Sequence, residues 1–236
     1  MTDPLVVALD AMGGDKAPDA VVKGAAIARE RFPQIQFLLF GVESRLTPLI
    51  DKLPILKGCV TIRHTDHFIT GDAKPSTALR QGRRSSMRLA LDAVASGEAQ
   101  CAVSAGNTGA LMAMAKFALK TLPGIDRPAI ATFFPTRRGE FVVLDLGANV
   151  ECDAENLVQF ALMGEVFART VLGTSRPSVA LLNIGSEELK GNDAVRGAAA
   201  RLRAPGSPIN FVGYVEGDDI GAGSADVIVT DGFTGN

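Results

Sequence analysis

The chain has no tryptophan and one tyrosine among 236 residues, so it has little with which to stack nucleic-acid bases. Its 24 basic and 26 acidic residues nearly cancel, and no cationic field draws it to a polyanion. It has three cysteines, Cys59, Cys101 and Cys152, odd in number and far apart. They form neither a disulfide framework nor a Cys-type zinc site, and they point to a reducing, cytoplasmic setting. The two histidines, His64 and His67, form an isolated His-x-x-His without other metal-ligand context, so no metal or redox cofactor is expected. Apolar runs stay well short of the roughly 20 residues that span a bilayer; the best, Gly109 to Leu119, contains Lys116. The N-terminus MTDPLVVALD lacks the basic and apolar regions of a signal peptide.

What is present is an alternation. Short, branched apolar runs recur at Leu5–Leu9, Gln36–Phe40, Val60–Ile62, Cys101–Val103, Ala129–Phe134, Phe141–Leu144, Val179–Leu182, Asn210–Val212 and Val227–Val229. Ala-rich stretches with helical spacing lie between several of them: Ala20–Arg31, Ser85–Ala95, Leu111–Lys120, Leu157–Leu172 and Ala194–Leu202. This is the pattern of an α/β fold with a mostly parallel sheet covered on both faces. Thr136-Arg137-Arg138-Gly139 joins two strand runs and predicts one antiparallel hairpin. No linker or repeat interrupts the pattern, so residues 1–236 read as a single α/β domain. The final TDGFTGN sits where a further helix should begin, and the domain is expected to be incomplete at its C-terminal end.

Clusters of Gly, Asn and Asp follow the strand runs directly: LDAMGGDKAP (9–18), SAGNTGA (104–110), LDLGANV (144–150), LNIGSEELKGND (182–193) and TDGFTGN (230–236). In a parallel sheet such loops share the edge where ligands bind. Glycine lets the backbone approach an anion, and helix N-termini present unpaired N–H groups that suit phosphate. Any one loop could be a simple turn or cap; five together predict an anion site.

The acid–base inventory is thin. Ala102-Val103-Ser104-Ala105-Gly106 approximates a nucleophile elbow, but no histidine follows residue 67 to serve Ser104. Asp10-Ala11-Met12-Gly13 and Asp145-Leu146-Gly147 suggest the phosphate loops of actin-like kinases, yet neither continues with Gly-Thr. Walker A and G-x-G-x-x-G sequences are absent. Attack of inorganic phosphate on a thioester fits better. Phosphate is already an anionic nucleophile and a thiol of pKa about 8.5 leaves readily, so catalysis reduces to positioning and fixed donors.

The motifs DAMGGD (10–15), RRSSM (83–87), SAGNTGALMA (104–113), RPAI (127–130), LDLGAN (144–149), LLNIGSEELKGN (181–192), FVGYVEGDDI (211–220) and DGFTGN (231–236) resemble the PlsX-type phosphate acyltransferases, in family order, from residue 5 to the last. The resemblance implies a three-layer α/β/α sandwich like that of isopropylmalate dehydrogenases and phosphotransacetylases. It implies transfer of a fatty acyl group from acyl carrier protein to inorganic phosphate, giving acyl phosphate for phospholipid synthesis. It further implies a homodimer, cytoplasmic but peripherally membrane-associated through residues beyond those here, with a glycerol-3-phosphate acyltransferase using the product. A coenzyme A-dependent phosphotransacetylase, a non-catalytic phospholigand-binding module and an actin-like kinase are the alternatives.

Within that frame Lys190, Asn107 and Asn183 are the candidate catalytic residues, with Lys190 as the charge facing phosphate or the oxyanion. Substrate binding is expected from Asp10, Gly13, Gly14 and Asp15; from Ser104, Gly106, Thr108 and Gly109; from Asn149; and from Gly185, Gly191 and Asn192. Asp231, Gly232, Phe233, Gly235 and Asn236 complete the set. The carboxylates of the first loop are expected to orient Lys16 or backbone amides and not to touch phosphate. Arg80, Arg83, Arg84 and Arg88 are spaced i, i+3, i+4, i+8. If helical throughout, they form one stripe with Met87, Leu91 and Val94 and would meet an acidic carrier protein or an anion; a helix broken at Gly82 would make them ordinary surface charges.

Overall fold

The computed structural model describes residues 4–236. The chain divides into two compact units, one up to Lys120 and one from Thr121 to Asn236.

The first unit is built on four strands: β1 (Val6–Asp10), β2 (Gln36–Gly41), β3 (Val60–His64) and β4 (Cys101–Val103). They run in the order β3-β2-β1-β4 and every pairing is parallel. Side chains alternate across this sheet. Val7 and Leu9 pack with Val22 and Ala25 of α1 (Asp19–Arg31) and Leu46 of α2 (Glu43–Asp51). Two more helices complete the near set: α3 (Pro75–Gln81) and α4 (Ser86–Ala95). Ala8 and Phe40 cluster with Ala90 and Ala93 of α4. Two faces buried under helices explain why β1 and β2 read as nearly unbroken apolar runs. The last helix of the unit, α5 (Thr108–Leu119), joins α3 and α4 in a cluster of Ala78, Met87, Leu91, Ala110 and Met114.

The second unit holds β5 (Ala131–Thr136), β6 (Gly139–Leu144), β7 (Ser178–Leu182), β8 (Asn210–Val215) and β9 (Val227–Val229), ordered β5-β6-β9-β7-β8. Only β5 is antiparallel, joined to β6 by the expected hairpin, with Gly139 at φ 125°. The main core joins Val142, Leu144, Val179 and Leu181 of the sheet to Phe160 of α6 (Ala154–Phe167) and Leu202 of α7 (Asp193–Leu202). Phe141, Val143, Ala180 and Ile228, on the alternate positions, form a second cluster with Val215 and Ala225. Both edges of this sheet are interrupted. Pro135 sits in β5, and β8 carries a register shift where Gly213 takes φ 113°.

The fold is the expected α/β arrangement of mostly parallel strands layered with helices. One expectation fails. The arginine stripe is not one helix, because α3 closes at Gly82 and α4 starts afresh with Ser85 as its N-cap. A Cβ at position 82 would lie 2.7 Å from the Ile69 side chain, so glycine is needed for that close turn. Arg80, Arg83 and Arg84 are exposed, while Arg88 is half-buried and pairs with Asp92 at 2.7 Å.

Candidate functional site

The five Gly/Asn/Asp loops follow β1 and β4 in the first unit, and β6, β7 and β9 in the second. In the first unit Asp10 ends β1 and is only 2% exposed. A buried carboxylate needs donors, and Asp10 has them: the Ser104 hydroxyl donates to it at 2.7 Å and the Met12 amide at 3.3 Å. Ser104 in turn accepts from the Gly106 amide at 3.1 Å. The Asp10 carboxylate therefore ties the β1 and β4 loops together. Gly13 lies so close to that carboxylate that a side chain there would collide with it.

Asn107 is the N-cap of α5. Its Oδ1 accepts from the Ala110 amide at 2.8 Å, and its Nδ2 donates to the carbonyls of Gly71 at 2.8 Å and Ala73 at 3.0 Å. A cavity of about 580 Å³ opens beside this cap, and its lining includes Gly14, Asp15, Gly106, Asn107 and Thr108. The first turn of α5 leaves amides without intrahelical acceptors and carries the positive end of the helix dipole. Phe68, Ile69, Thr70 and Gly71 also line the cavity. Sequence reasoning missed this segment. The one available signal was the Thr70-Gly71-Asp72 turn in the segment after β3, with one glycine where four of the five loops carry two. Asp10 and Gly13 lie outside that lining and border an adjoining apolar trough of about 600 Å³ along α1. The arginines are not part of it; Arg84 lines a small pocket with His64 and His67.

In the second unit the corresponding carboxylate is Asp145, fully buried and held at φ 72°. It accepts from the amides of Ile130 (3.3 Å), Ala148 (3.0 Å) and Asn149 (2.8 Å), and from Asn149 Nδ2 (2.9 Å). Asn149 Nδ2 also donates to Pro128 O at 2.9 Å, linking the loop to the RPAI segment. Gly232 seats against this loop: its amide donates to Asn149 O at 2.8 Å, and a Cβ there would meet the Asn149 amide nitrogen at 2.8 Å.

The Cys152 thiol is pushed up to about 11, first by burial and then by the charges of Asp145 and Asp231. Burial also raises the Cys101 thiol. Neither is tuned to act as a thiolate nucleophile.

Asn183 Nδ2 donates to the carbonyls of Gly185 (3.0 Å) and Lys190 (3.2 Å), closing the loop after β7 on itself. Gly191, at φ 89°, lies too close to the Asn183 amide to carry a side chain. Asn192 caps α7 by accepting from the Val195 amide at 2.9 Å. Asn183, Gly191, Asn192 and Asp231 line a cavity of about 260 Å³. Lys190 is exposed, outside that lining, and makes no ion pair among the described residues. Gly185 is buried in the turn; Phe233 and Asn236 are exposed, and the Gly235 amide donates to Asp231 O at 2.9 Å. Among the described residues no group of three or more His, Cys, Asp or Glu is placed to hold a metal ion.

The fold belongs to the class seen in phosphotransacetylases. A phosphotransacetylase from Streptococcus pyogenes superposes with a TM-score of 0.73 at 18% identity, covering 100% of this chain and 80% of that one. A branched-chain phosphotransacylase from Enterococcus faecalis gives 0.63 at 15% identity, covering 98% and 80%. Within that class, residues 5–236 match the fatty acid synthesis protein family, and the chain belongs to it. Its relatives include the phosphate acyltransferase of Rhodospirillum centenum, 67% identical over 100% of this chain and 66% of that protein. The phosphate acyltransferase of Rhodospirillum rubrum is 63% identical over 100% of this chain and 68% of its own length. The chain thus spans about two thirds of the length of these curated relatives.

Proposed function

We propose that this protein transfers a fatty acyl group from the thioester of acyl carrier protein to inorganic phosphate, releasing acyl phosphate and the free carrier thiol. The observation that carries the reading is the relationship of the whole chain to phosphate acyltransferases at 67% and 63% identity. The chemistry of the loops supports it. Phosphate needs no base to become a nucleophile, and the thiolate leaves readily. The reaction asks for an anion seat and fixed donors near the thioester carbonyl. The N-terminal turn of α5, opening on a cavity framed by Gly14, Gly106 and Thr108, suits the phosphate. Lys190, exposed and unpaired among the described residues, is the cation of the loop after β7.

Acyl phosphate is a reactive mixed anhydride, and a glycerol-3-phosphate acyltransferase at the membrane consumes it. The working protein is a homodimer, cytoplasmic and peripherally membrane-associated. No helix among the described residues is long and apolar enough to cross a membrane.

The deciding experiment uses the full-length gene product with palmitoyl-carrier protein. Thiol release is followed with and without phosphate, and the product is trapped with hydroxylamine. Phosphate-dependent release with a trappable acyl phosphate is the expected result. Turnover of coenzyme A thioesters alone would move the protein to phosphotransacetylase chemistry. Binding without turnover of either substrate would leave a phospholigand-binding module.

A further inference from the structure

The cavity beside α5 is larger than an anion seat requires. At roughly 30 Å³ for a water-sized group, a phosphate ion occupies on the order of 100 Å³, against about 580 Å³ available. The remaining wall is unlike the glycine loops. Phe68 and Ile69 are apolar, Phe68 is exposed, and both lie in a segment with little regular structure between β3 and α3. That segment is fastened at two points. At its start the Thr65 hydroxyl donates to Arg84 O at 2.7 Å, and the Ser86 amide donates to His67 O at 2.9 Å. At its far end, Asn107 Nδ2 donates to the Gly71 and Ala73 carbonyls. A turn bond from the Ala73 amide to Thr70 O, 3.2 Å, shapes the segment but does not anchor it to the body.

Every polar atom of the Asn107 side chain is thereby occupied: the oxygen by the helix cap, the two amide hydrogens by the segment. No side-chain N–H remains to donate to a substrate. We propose that Phe68–Ala73 is the acyl-thioester wall of this cavity, with Phe68 and Ile69 as its apolar contact, and that Asn107 is the positioning residue that holds this wall against the phosphate end. The identity of the thioester rests on the function proposed above; the tie between Asn107 and the segment does not. An apolar wall adjoining an anion seat matches the two ends of the reaction, a thioester carrying a hydrocarbon chain and a phosphate that attacks it. Asn107 thus moves from candidate catalytic residue to positioning residue.

The test uses the full-length protein with Asn107→Ser, Asn107→Ala and Phe68→Ala. Serine keeps the N-cap, whereas alanine loses it; neither reaches the Gly71 and Ala73 carbonyls. Loss of two hydrogen bonds predicts amide exchange at Ala73, whose N–H is held by Thr70 O, at least about tenfold faster in both position-107 variants. Asn107→Ala, which also loses the cap, should lower the melting temperature further than Asn107→Ser. In turnover, Asn107→Ser and Phe68→Ala should raise the thioester KM roughly tenfold while leaving the phosphate KM within about twofold. Unchanged exchange in Asn107→Ser overturns the positioning role. An unchanged thioester KM in Phe68→Ala overturns the wall. Wild-type protein that turns over no thioester would defeat the functional reading alone, and the exchange comparison still decides the tie.

Discussion

Asp145 shows how much of this molecule rests on single residues. It is fully buried, accepts four hydrogen bonds, and holds a left-handed backbone that costs a non-glycine residue of order 1 kcal/mol or more. The strain persists because the surrounding donors fix it. Asp145→Ala should cost about 3–5 kcal/mol, since it strands several buried donors at once; urea denaturation measures it, and a loss below about 1 kcal/mol would refute this account. Cys152 gives a prediction in pH. Its thiol lies near 9 when unperturbed and about 11 in the fold, chiefly through burial. A raised folded-state value means the fold holds the proton more tightly, so this contribution is whole below about pH 9 and lost as the pH rises through about 11. Cys152→Ala should flatten the alkaline limb of a melting-temperature profile between those values and leave the profile at lower pH unchanged in shape.

At the scale of elements, two helix glycines separate propensity from packing. A Cβ at Gly24 in α1 meets nothing within 4 Å, whereas one at Gly164 in α6 would lie 2.7 Å from Leu144 Cδ2 in the core. Alanine is favoured over glycine by about 1 kcal/mol in a helix, so Gly24→Ala should stabilise by roughly 0.5–1 kcal/mol. At position 164 overpacking of about 1–3 kcal/mol outweighs that gain, and Gly164→Ala should destabilise. Chemical denaturation of the pair checks both signs.

The same scale shows what a reader of the sequence can see. Each of the nine apolar runs marks a strand, with boundaries differing by a few residues. The runs are clearest where β1, β2, β7 and β9 are buried, and the more exposed β3, β4 and β5 still show through their branched and aromatic residues. The helix α2 escapes, having Pro48 in its interior, and so does α3, a short helix closed by a buried glycine. The loops holding Asp10 and Asp145 were visible because each carboxylate closes an apolar run just before glycine, although the donors around Asp145 were not. The Phe68–Ala73 segment showed only its Thr70-Gly71-Asp72 turn, since its tie to Asn107 spans 34 and 36 residues and makes no local pattern.

For the whole molecule, the two units each carry their own sheet and apolar clusters, and they meet in sequence at Lys120. Lys120 is exposed at φ 64° just after α5, and Leu122, Pro123 and Gly124 beyond it are exposed as well. An exposed lysine outside regular structure is an early target for a protease. Limited trypsin digestion should therefore cut first after Lys120, giving two fragments that mass spectrometry assigns to the two units; first cuts elsewhere, within α1 or α7 or after Arg84 or Lys190, would contradict it.

The interrupted edges of the second sheet bear on how the protein behaves in a crowded solution. A strand edge offers a row of free N–H and C=O groups to any other chain. Here Pro135 removes a donor from one edge strand, and the Gly213 shift breaks the regular spacing of the other. Both irregularities work against a neighbouring molecule adding itself to this sheet in continuous register. The same two irregularities that look like flaws in a strand make the edges of a strongly apolar sheet poor templates for aggregation.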